Sequence, residues 1–472
     1  MSSSDHVGSA PAGSTEPAAG DGPGEPHVGS GRLYGVGVGP GDPDLMTVKA
    51  RRLIEAADVI AYPIAGGGKG VARGVAEPFL RDDQILVPMV YPVTTGTTEH
   101  PGGYEGAIAQ FYDESAAELA VHLRAGRTVV VLCEGDPFFY GSYMYLHERL
   151  SPHFPTEVVP GITAFSAAAA SSGLPLVKRD DVLVVLPATL PQDQLEAHLQ
   201  HADAAVLMKL GRTFPGAAAA LEATGMASRA QYVERASSDR ERRMPLREVD
   251  HAEVPYMSIV LAPGTDQGCD TPVLPAGAVG VDPADAGLGL DDGPREGGWV
   301  TVVGLGPAGA QTLTPEAHAV LAEATDVIGY DTYIARVPPR RGQRRHGSDN
   351  RVELDRARHA LELAAGGARV AVVSSGDPGI FAMASAVLEG LEAAPEPLRS
   401  VDVRVLPGIS AVQAAAARVG APVGHDVALI SLSDIRKPWS IIERRLVAAA
   451  ESDLVVALYN PASKTRREQL DR

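Results

Sequence analysis

Two stretches carry residues whose types and spacing suggest chemistry: "YGVGVGPGDPDLMTVKA" (34–50) and "VVGLGPAGAQTLTPEA" (302–317). Each sets a glycine-rich loop after an apolar run. In the second, Gly304, Gly306 and Gly309 satisfy G-x-G-x-x-G. A dinucleotide fold uses such a loop to aim backbone N–H groups, at the start of a helix, at a pyrophosphate. Both copies place a proline after the second glycine, Pro40 and Pro307. Proline has no N–H to donate and fixes its own φ. The first copy also breaks the spacing, reading G-V-G-P-G-D. An NAD(P)-dependent oxidoreductase is therefore the weaker reading of these loops.

The elements around the loops repeat. "GRTVVVLCEGDPFFYG" (126–141) matches "GARVAVVSSGDPGIFA" (367–382), "EVVPGITAFSAAAASSGLPL" matches "VRVLPGISAVQAAAARVGAPV", and "AAVLMKLG" matches "DLVVALYNP". With the glycine loops and "ADVIAYP"/"TDVIGYD", that makes five blocks in one order, so one unit is written twice. Short Val/Ile/Leu runs alternate with helical patterns, which predicts an α/β fold whose strands are buried on both faces. Such sheets bind ligands beyond the carboxyl ends of their strands. The Gly-Pro, Gly-Asp-Pro and Pro-Gly turns each follow a strand, so all three should meet at one crevice. The expected division is a disordered tail (1–31), a first unit (32–263), a flexible linker (264–298) and a second unit (299–472).

Bulk composition bounds the rest. The 472 residues need more than one core. Forty-one Lys and Arg against 59 Asp and Glu give a net charge of -18, which argues against nucleic-acid or membrane partners. Two cysteines, Cys133 and Cys269, make neither a disulfide framework nor a zinc site, in keeping with a cytoplasmic protein. No apolar run is long enough to span a bilayer.

The ordered motifs V-G-x-G-P-G-D-x-x-L-M-T, G-D-P-F-F-Y-G and V-V-P-G-I-T-A resemble the tetrapyrrole (corrin/porphyrin) methyltransferase family, over nearly all of 32–262 and 299–472. The first unit is similar to precorrin-2 C(20)-methyltransferases and the second to precorrin-3B C(17)-methyltransferases. The second likeness is carried by "SSGDPGIFAMA" and "ISLSDIRKPWSIIERRL". The resemblance implies two tandem tetrapyrrole-methylase units, each with two α/β subdomains flanking a cleft for S-adenosyl-L-methionine and a tetrapyrrole. It implies a bifunctional enzyme of cobalamin biosynthesis with no metal; enzymes of the cobalt-first route share the motifs. Moving a methyl from a sulphonium to a ring carbon is an in-line displacement that asks mainly for positioning. A sulphonium is served by acceptors, and carbonyl contacts to its polarised hydrogens are weak but directional.

Carried over position by position, the family's cofactor grip falls on Pro40, Glu134, Gly135, Asp136, Phe139, Thr163, Ala164 and Met208 in the first unit. In the second it falls on Pro307, Ser375, Gly376, Asp377, Ile380, Ser410, Ala411 and Tyr459. Taken singly, Gly-Asp-Pro is also an ordinary Asp-capped turn, Thr163 and Ser410 also suit helix N-caps, and Met208 also suits a core. Asp331, in "DVIGYD", matches the family's candidate general base, where the first unit has Pro63. Basic clusters at Lys178, Arg179, Arg235, Arg240, Arg242 and Arg243, and at Arg336, Arg340, Arg341, Arg344, Arg345 and His346, are candidate anchors for substrate carboxylates. The family also implies a homodimer, unless two linked units pair within the chain. A non-catalytic scaffold is a further alternative. After Met208 the first unit continues 53 residues to Leu261, whereas 13 follow Tyr459. The second unit is thus expected to lack edge strands of its last sheet and part of an adenine pocket.

Overall fold

The computed structural model describes residues 31–264 and 297–471 apart from 66–67, 69, 93–97, 179–180, 308, 350–351, 422, 434–436 and 462–467. The tail through residue 30, linker residues 265–296 and the candidate anchor Arg179 lie outside the described residues.

The duplication read from the sequence is a duplication of topology. In the first unit β1 (Leu33–Gly37), β2 (Val59–Ile64), β3 (Ile85–Val90), β4 (Val129–Cys133) and β5 (Thr156–Val159) form a sheet in the order β3-β2-β4-β1-β5. Every pairing in it is parallel. β4 is buried throughout and β1 everywhere but at the half-buried Tyr34, as strands covered on both faces require. The second unit repeats that order after five further first-unit strands. Those first-unit strands are β6 (Val182–Pro187), β7 (Ala204–Met208), β8 (Gln231–Glu234), β9 (Arg242–Pro245) and β10 (Ser258–Ala262). Then β11 (Trp299–Gly304), β12 (Asp326–Tyr330), β13 (Arg344–Ser348), β14 (Arg369–Ser374) and β15 (Asp402–Leu406) form an all-parallel sheet β13-β12-β14-β11-β15.

The units do not build separate second sheets. β16 (Val427–Ser431) and β17 (Val455–Tyr459) join the first unit's strands in a seven-stranded sheet, β17-β16-β6-β7-β10-β8-β9. β6 and β16 occupy equivalent places in the two units and run antiparallel to each other, so an approximate two-fold relates the units across this seam. The two units thus pair within the chain.

Strand alternation explains why the seam holds. Val427 faces Val185 and Leu429 faces Leu183 on one side, in a core that also contains Phe165, Ile380 and Val412. Ala428 faces Val184 and Ile430 faces Val182 on the other, against Phe214 and Ala449. A one-residue slip would exchange the two sides at every pair. At the far edge β17 pairs only with β16 among the described residues, and Val455, Val456 and Leu458 are exposed there. In the first unit the equivalent strand, β7, is covered by antiparallel β10. No described residue supplies that covering strand to β17.

Because both units share one core at this seam, damage on one side should be felt on the other. Leu429→Ala should cost on the order of 2–5 kcal/mol, as cavities in buried cores do. Hydrogen exchange should then accelerate in β6 as well as β16; unchanged exchange in β6 would show the units to be energetically independent.

Candidate functional site

In each parallel sheet one strand, β1 or β11, runs between two others, β4 and β5 or β14 and β15, so the loops that leave the three strands meet. In the first unit these are the turns after β1, β4 and β5. Gly135 donates its N–H to the Gly39 carbonyl at 2.9 Å, and Gly39 returns one to Gly135 at 3.4 Å. Both residues sit at positive φ, +82° and +61° for Gly39 and Gly135, where a side chain is strained. A Cβ on Gly161 would stand 2.0 Å from the Gly135 carbonyl oxygen, and one on Gly37 2.5 Å from the same atom. Three backbones thus converge where only glycine fits. Asp136 fastens them from beneath: Oδ1 accepts from Phe138 N at 2.9 Å and Oδ2 from Gly161 N at 3.1 Å. The ordinary capped turn and the tie between two loops are one arrangement.

The second unit reproduces this. Gly306 donates to the Gly376 carbonyl at 3.2 Å, and a Cβ on Gly408 would lie 2.4 Å from that oxygen. Asp377 accepts from Gly379 N at 2.9 Å and from Gly408 N at 3.1 Å. Gly309, the third glycine of G-x-G-x-x-G, has φ -71° and open space around its missing Cβ. Nothing at that position requires glycine. The loops lead into short 3₁₀ turns, Pro43–Leu45 and Ala310–Thr312. The α-helices begin only afterwards, capped by Thr47 and Thr314 through the Ala50 and Ala317 N–H groups. The helix that follows each first strand thus begins beyond a 3₁₀ turn and not at the glycine turn itself, where a pyrophosphate cradle would start it.

The structure brings most of the sequence-derived candidates to these junctions. Gly135, Asp136 and Phe139 lie in the loop after β4, with Glu134 exposed at its start; Thr163 is buried at the N-cap of helix Ala164–Ser171. Thr163 uses its hydroxyl to donate to Ser166 at 3.0 Å and does not cap the helix with it. Pro40 is half-buried, and Met208, ending β7, packs on the core that holds Phe139. Ser375, Gly376, Asp377 and Ile380 occupy the equivalent loop, Ser410 and Ala411 open helix Ala411–Val419, and Pro307 is exposed. Tyr459, opposite Met208 in the repeat, packs on Phe381 with ring centroids 5.1 Å apart. Its hydroxyl accepts from Val412 N at 3.3 Å, and burial pushes it up to about 12. Asp331 is exposed at the carboxyl end of β12, against Gly347 of β13.

Several basic candidates are engaged elsewhere. Arg344 and His346 each reach Asp326 at 2.7 Å, at the opposite end of β12 from the loops. Against the desolvation of burial, hydrogen bonds from Arg344, His346 and Thr325 and the charge of Arg344 carry the Asp326 carboxyl down to about 2. Lys178 pairs with Glu389 and Arg235 with the buried Glu234. Arg240, Arg340 and Arg341 are exposed. Arg336 takes a role the sequence did not signal: its guanidinium donates to the carbonyls of Leu305 (3.0 Å) and Gly306 (2.7 Å) and to Ser375 Oγ (3.3 Å). It therefore stitches together two loops of the second site. In the first unit Ser237, from the turn after β8, accepts from Asp42 N at 3.2 Å and so clamps the loop after β1. The described residues offer the second unit no counterpart of this clamp.

Residues 32–250 and 300–472 match the family model for tetrapyrrole (corrin/porphyrin) methylases. The chain is 52% identical over 440 residues to a cobalamin biosynthesis protein of Mycobacterium tuberculosis, CobIJ, covering 93% of this chain and 81% of the relative. The first unit is similar to a Sinorhizobium precorrin-2 C(20)-methyltransferase, with 50% identity over 237 residues, 50% of this chain and 97% of that protein. The second is similar to a precorrin-3B C(17)-methyltransferase of the same genus, with 51% identity over 173 residues, 37% of this chain and 68% of that protein.

Burial raises Asp136 and Asp377 from the usual carboxylate range to about 6 despite their hydrogen bonds. A folded-state pKa above the unfolded one means that the folded chain binds more protons between the two values. The pair should therefore add stability as pH falls from about 6 to about 4, on the order of 3 kcal/mol per group at most. Urea midpoints of the wild type and an Asp136→Asn, Asp377→Asn variant, compared across that window, should converge in slope only if these carboxyls are not the source.

Proposed function

Because this chain belongs to the tetrapyrrole (corrin/porphyrin) methylases, we propose that it is a bifunctional S-adenosyl-L-methionine-dependent C-methyltransferase of cobalamin biosynthesis. The first unit, 32–263, methylates precorrin-2 at ring carbon 20 to give precorrin-3A. The second, 299–472, methylates precorrin-3B at ring carbon 17 with ring contraction to precorrin-4. The observation that carries this reading is a double correspondence. The chain is similar over 93% of its length to a single cobalamin biosynthesis protein, CobIJ, and each unit separately to a methyltransferase named for one of the two steps. Two copies of the three-loop junction support it from within the molecule. We place both reactions in the cytoplasm, in line with a sequence that has two cysteines and no disulfide framework.

The junctions suit a cationic methyl donor. Each presents a proline with no N–H beside glycine carbonyls, and each holds a buried carboxyl beneath the loops, Asp136 or Asp377. S-adenosyl-L-methionine would supply an electrophilic methyl; the protein's task is to hold donor and ring carbon in line. Backbone at Pro40, Glu134, Gly135, Asp136, Thr163 and Ala164, with Phe139 and Met208 beside it, would form the first grip. Pro307, Ser375, Gly376, Asp377, Ile380, Ser410, Ala411 and Tyr459 would form the second, stiffened by Arg336. In the second unit Asp331 would serve as the base for the ring proton, a reading supported by its exposure at the carboxyl end of β12, on the loop side of the sheet. Arg240, Arg340 and Arg341 are exposed and suit the carboxylates of a tetrapyrrole.

Incubation with precorrin-2 and isotopically labelled S-adenosyl-L-methionine should transfer one methyl per macrocycle, read by mass spectrometry. Folded protein that transfers none would sink the first assignment. With precorrin-3B, Asp331→Asn should reduce kcat by about two orders of magnitude, the usual contribution of a positioned base; an unchanged kcat would remove Asp331 from the mechanism.

A further inference from the structure

The two junctions are joined across the seam by side chains that no motif singled out. Gln413, third residue of the second unit's helix Ala411–Val419, is buried, with 1% of its surface exposed. Its Nε2 crosses into the first unit and donates to the Gly161 carbonyl at 2.6 Å. The same nitrogen stands 3.4 Å from Asp136 Oδ2. Those are two of the atoms that close the first junction: Gly161 donates its own N–H to that carboxylate oxygen. Ser166, the equivalent helix residue of the first unit, is likewise buried, and its side chain helps to hold down the pKa of Asp377 of the second unit against burial. The reciprocity follows from the approximate two-fold, which sets each helix start against the other unit's loops.

We infer that Gln413 is a positioning residue for the first unit's methyl-donor loops, so that the second unit completes the first unit's site. The inference rests on the proposed function and deepens it. Each residue of the chain Asp136–Gly161–Gln413 has its polar groups committed. Gln413 Oε1 accepts from Ser410 N at 3.0 Å, which leaves only the amide nitrogen to reach across. Besides the amide, the carboxyl of Asp136 faces the N–H groups of Phe138 and Gly161, and its titratable neighbour among the described residues is the buried Cys133 thiol. Removing a buried donor leaves the Gly161 carbonyl unpaired at the point where the three loops meet, and the loop can relieve that only by shifting.

The decisive substitution is Gln413→Glu in the full chain. It keeps length, packing and the acceptor that caps Ser410, but turns the crossing donor into an acceptor. A purely structural cap predicts wild-type behaviour. The positioning role predicts that KM for S-adenosyl-L-methionine in precorrin-2 methylation rises on the order of tenfold while kcat changes little. It also predicts that the acid limb of that KM profile moves to higher pH, because a second carboxyl now faces Asp136. Gln413→Ser, the residue type the first unit carries at its equivalent position, guards against misfolding and should raise KM with a smaller displacement of the acid limb, because it removes the amide that favours the Asp136 carboxylate without adding a second charge. Wild-type KM and pH profile in both variants would overturn the inference while leaving the methyltransferase reading intact. A wild-type chain that neither methylates precorrin-2 nor binds S-adenosylhomocysteine in calorimetry would overturn both.

Discussion

In each unit one carbonyl oxygen, that of Gly135 or Gly376, lies where three loop backbones meet with no room for a side chain between them. Everything else in the site follows from that crowding. The loops after the first, fourth and fifth strands of the sheet can approach only because glycine occupies Gly37 and Gly161, or Gly304 and Gly408. Once they approach, backbone N–H groups are turned inward and must be satisfied, and the buried aspartate of Gly-Asp-Pro satisfies two of them. The crevice outside then presents carbonyls, proline and glycine surface, an environment that suits a sulphonium and not a pyrophosphate.

A buried carboxylate is expensive, and its cost ties the two units together. Asp136 and Asp377 are both raised toward neutral pH by burial, and each is eased by a polar side chain from the other unit, Gln413 or Ser166, as well as by its own loop. The seam that brings those helices within reach is the antiparallel pairing of β6 with β16, stabilised by apolar layers on both faces of the shared sheet. Linking two units in one chain thus does more than raise their local concentration. It places two junctions back to back, with polar atoms of one inside the other.

The units are not equal. The first unit's loop after β1 is clamped by Ser237, and its β7 is flanked by β10. The second unit's loop is stitched from the other side by Arg336, and its β17 exposes Val455, Val456 and Leu458 along the sheet edge. Similar chemistry is therefore supported by different scaffolding, and the charged residues differ most. Clusters that look like substrate anchors in sequence divide into ion pairs and loop braces, such as Arg344 with Asp326 and Arg336 with Leu305, and exposed arginines such as Arg340.

The sequence by itself determined the duplication, the α/β class and the identity of the loops. Strand periodicity, glycines and prolines are local signals, and Pro40 and Pro307 alone were enough to turn G-x-G-x-x-G away from a dinucleotide. The tertiary structure decided how the units meet. Nothing local in "PGISAVQAAAA" marks Gln413 as more than a helix-capping residue, because its second partner lies 252 positions earlier in the chain. Likewise Arg336, Ser237 and the merged seven-stranded sheet depend on which surfaces come into contact. Periodicity records which face of an element is buried, but not what buries it. That choice is made by shape and pairing between segments hundreds of residues apart, and here it made one joint site region out of two copies.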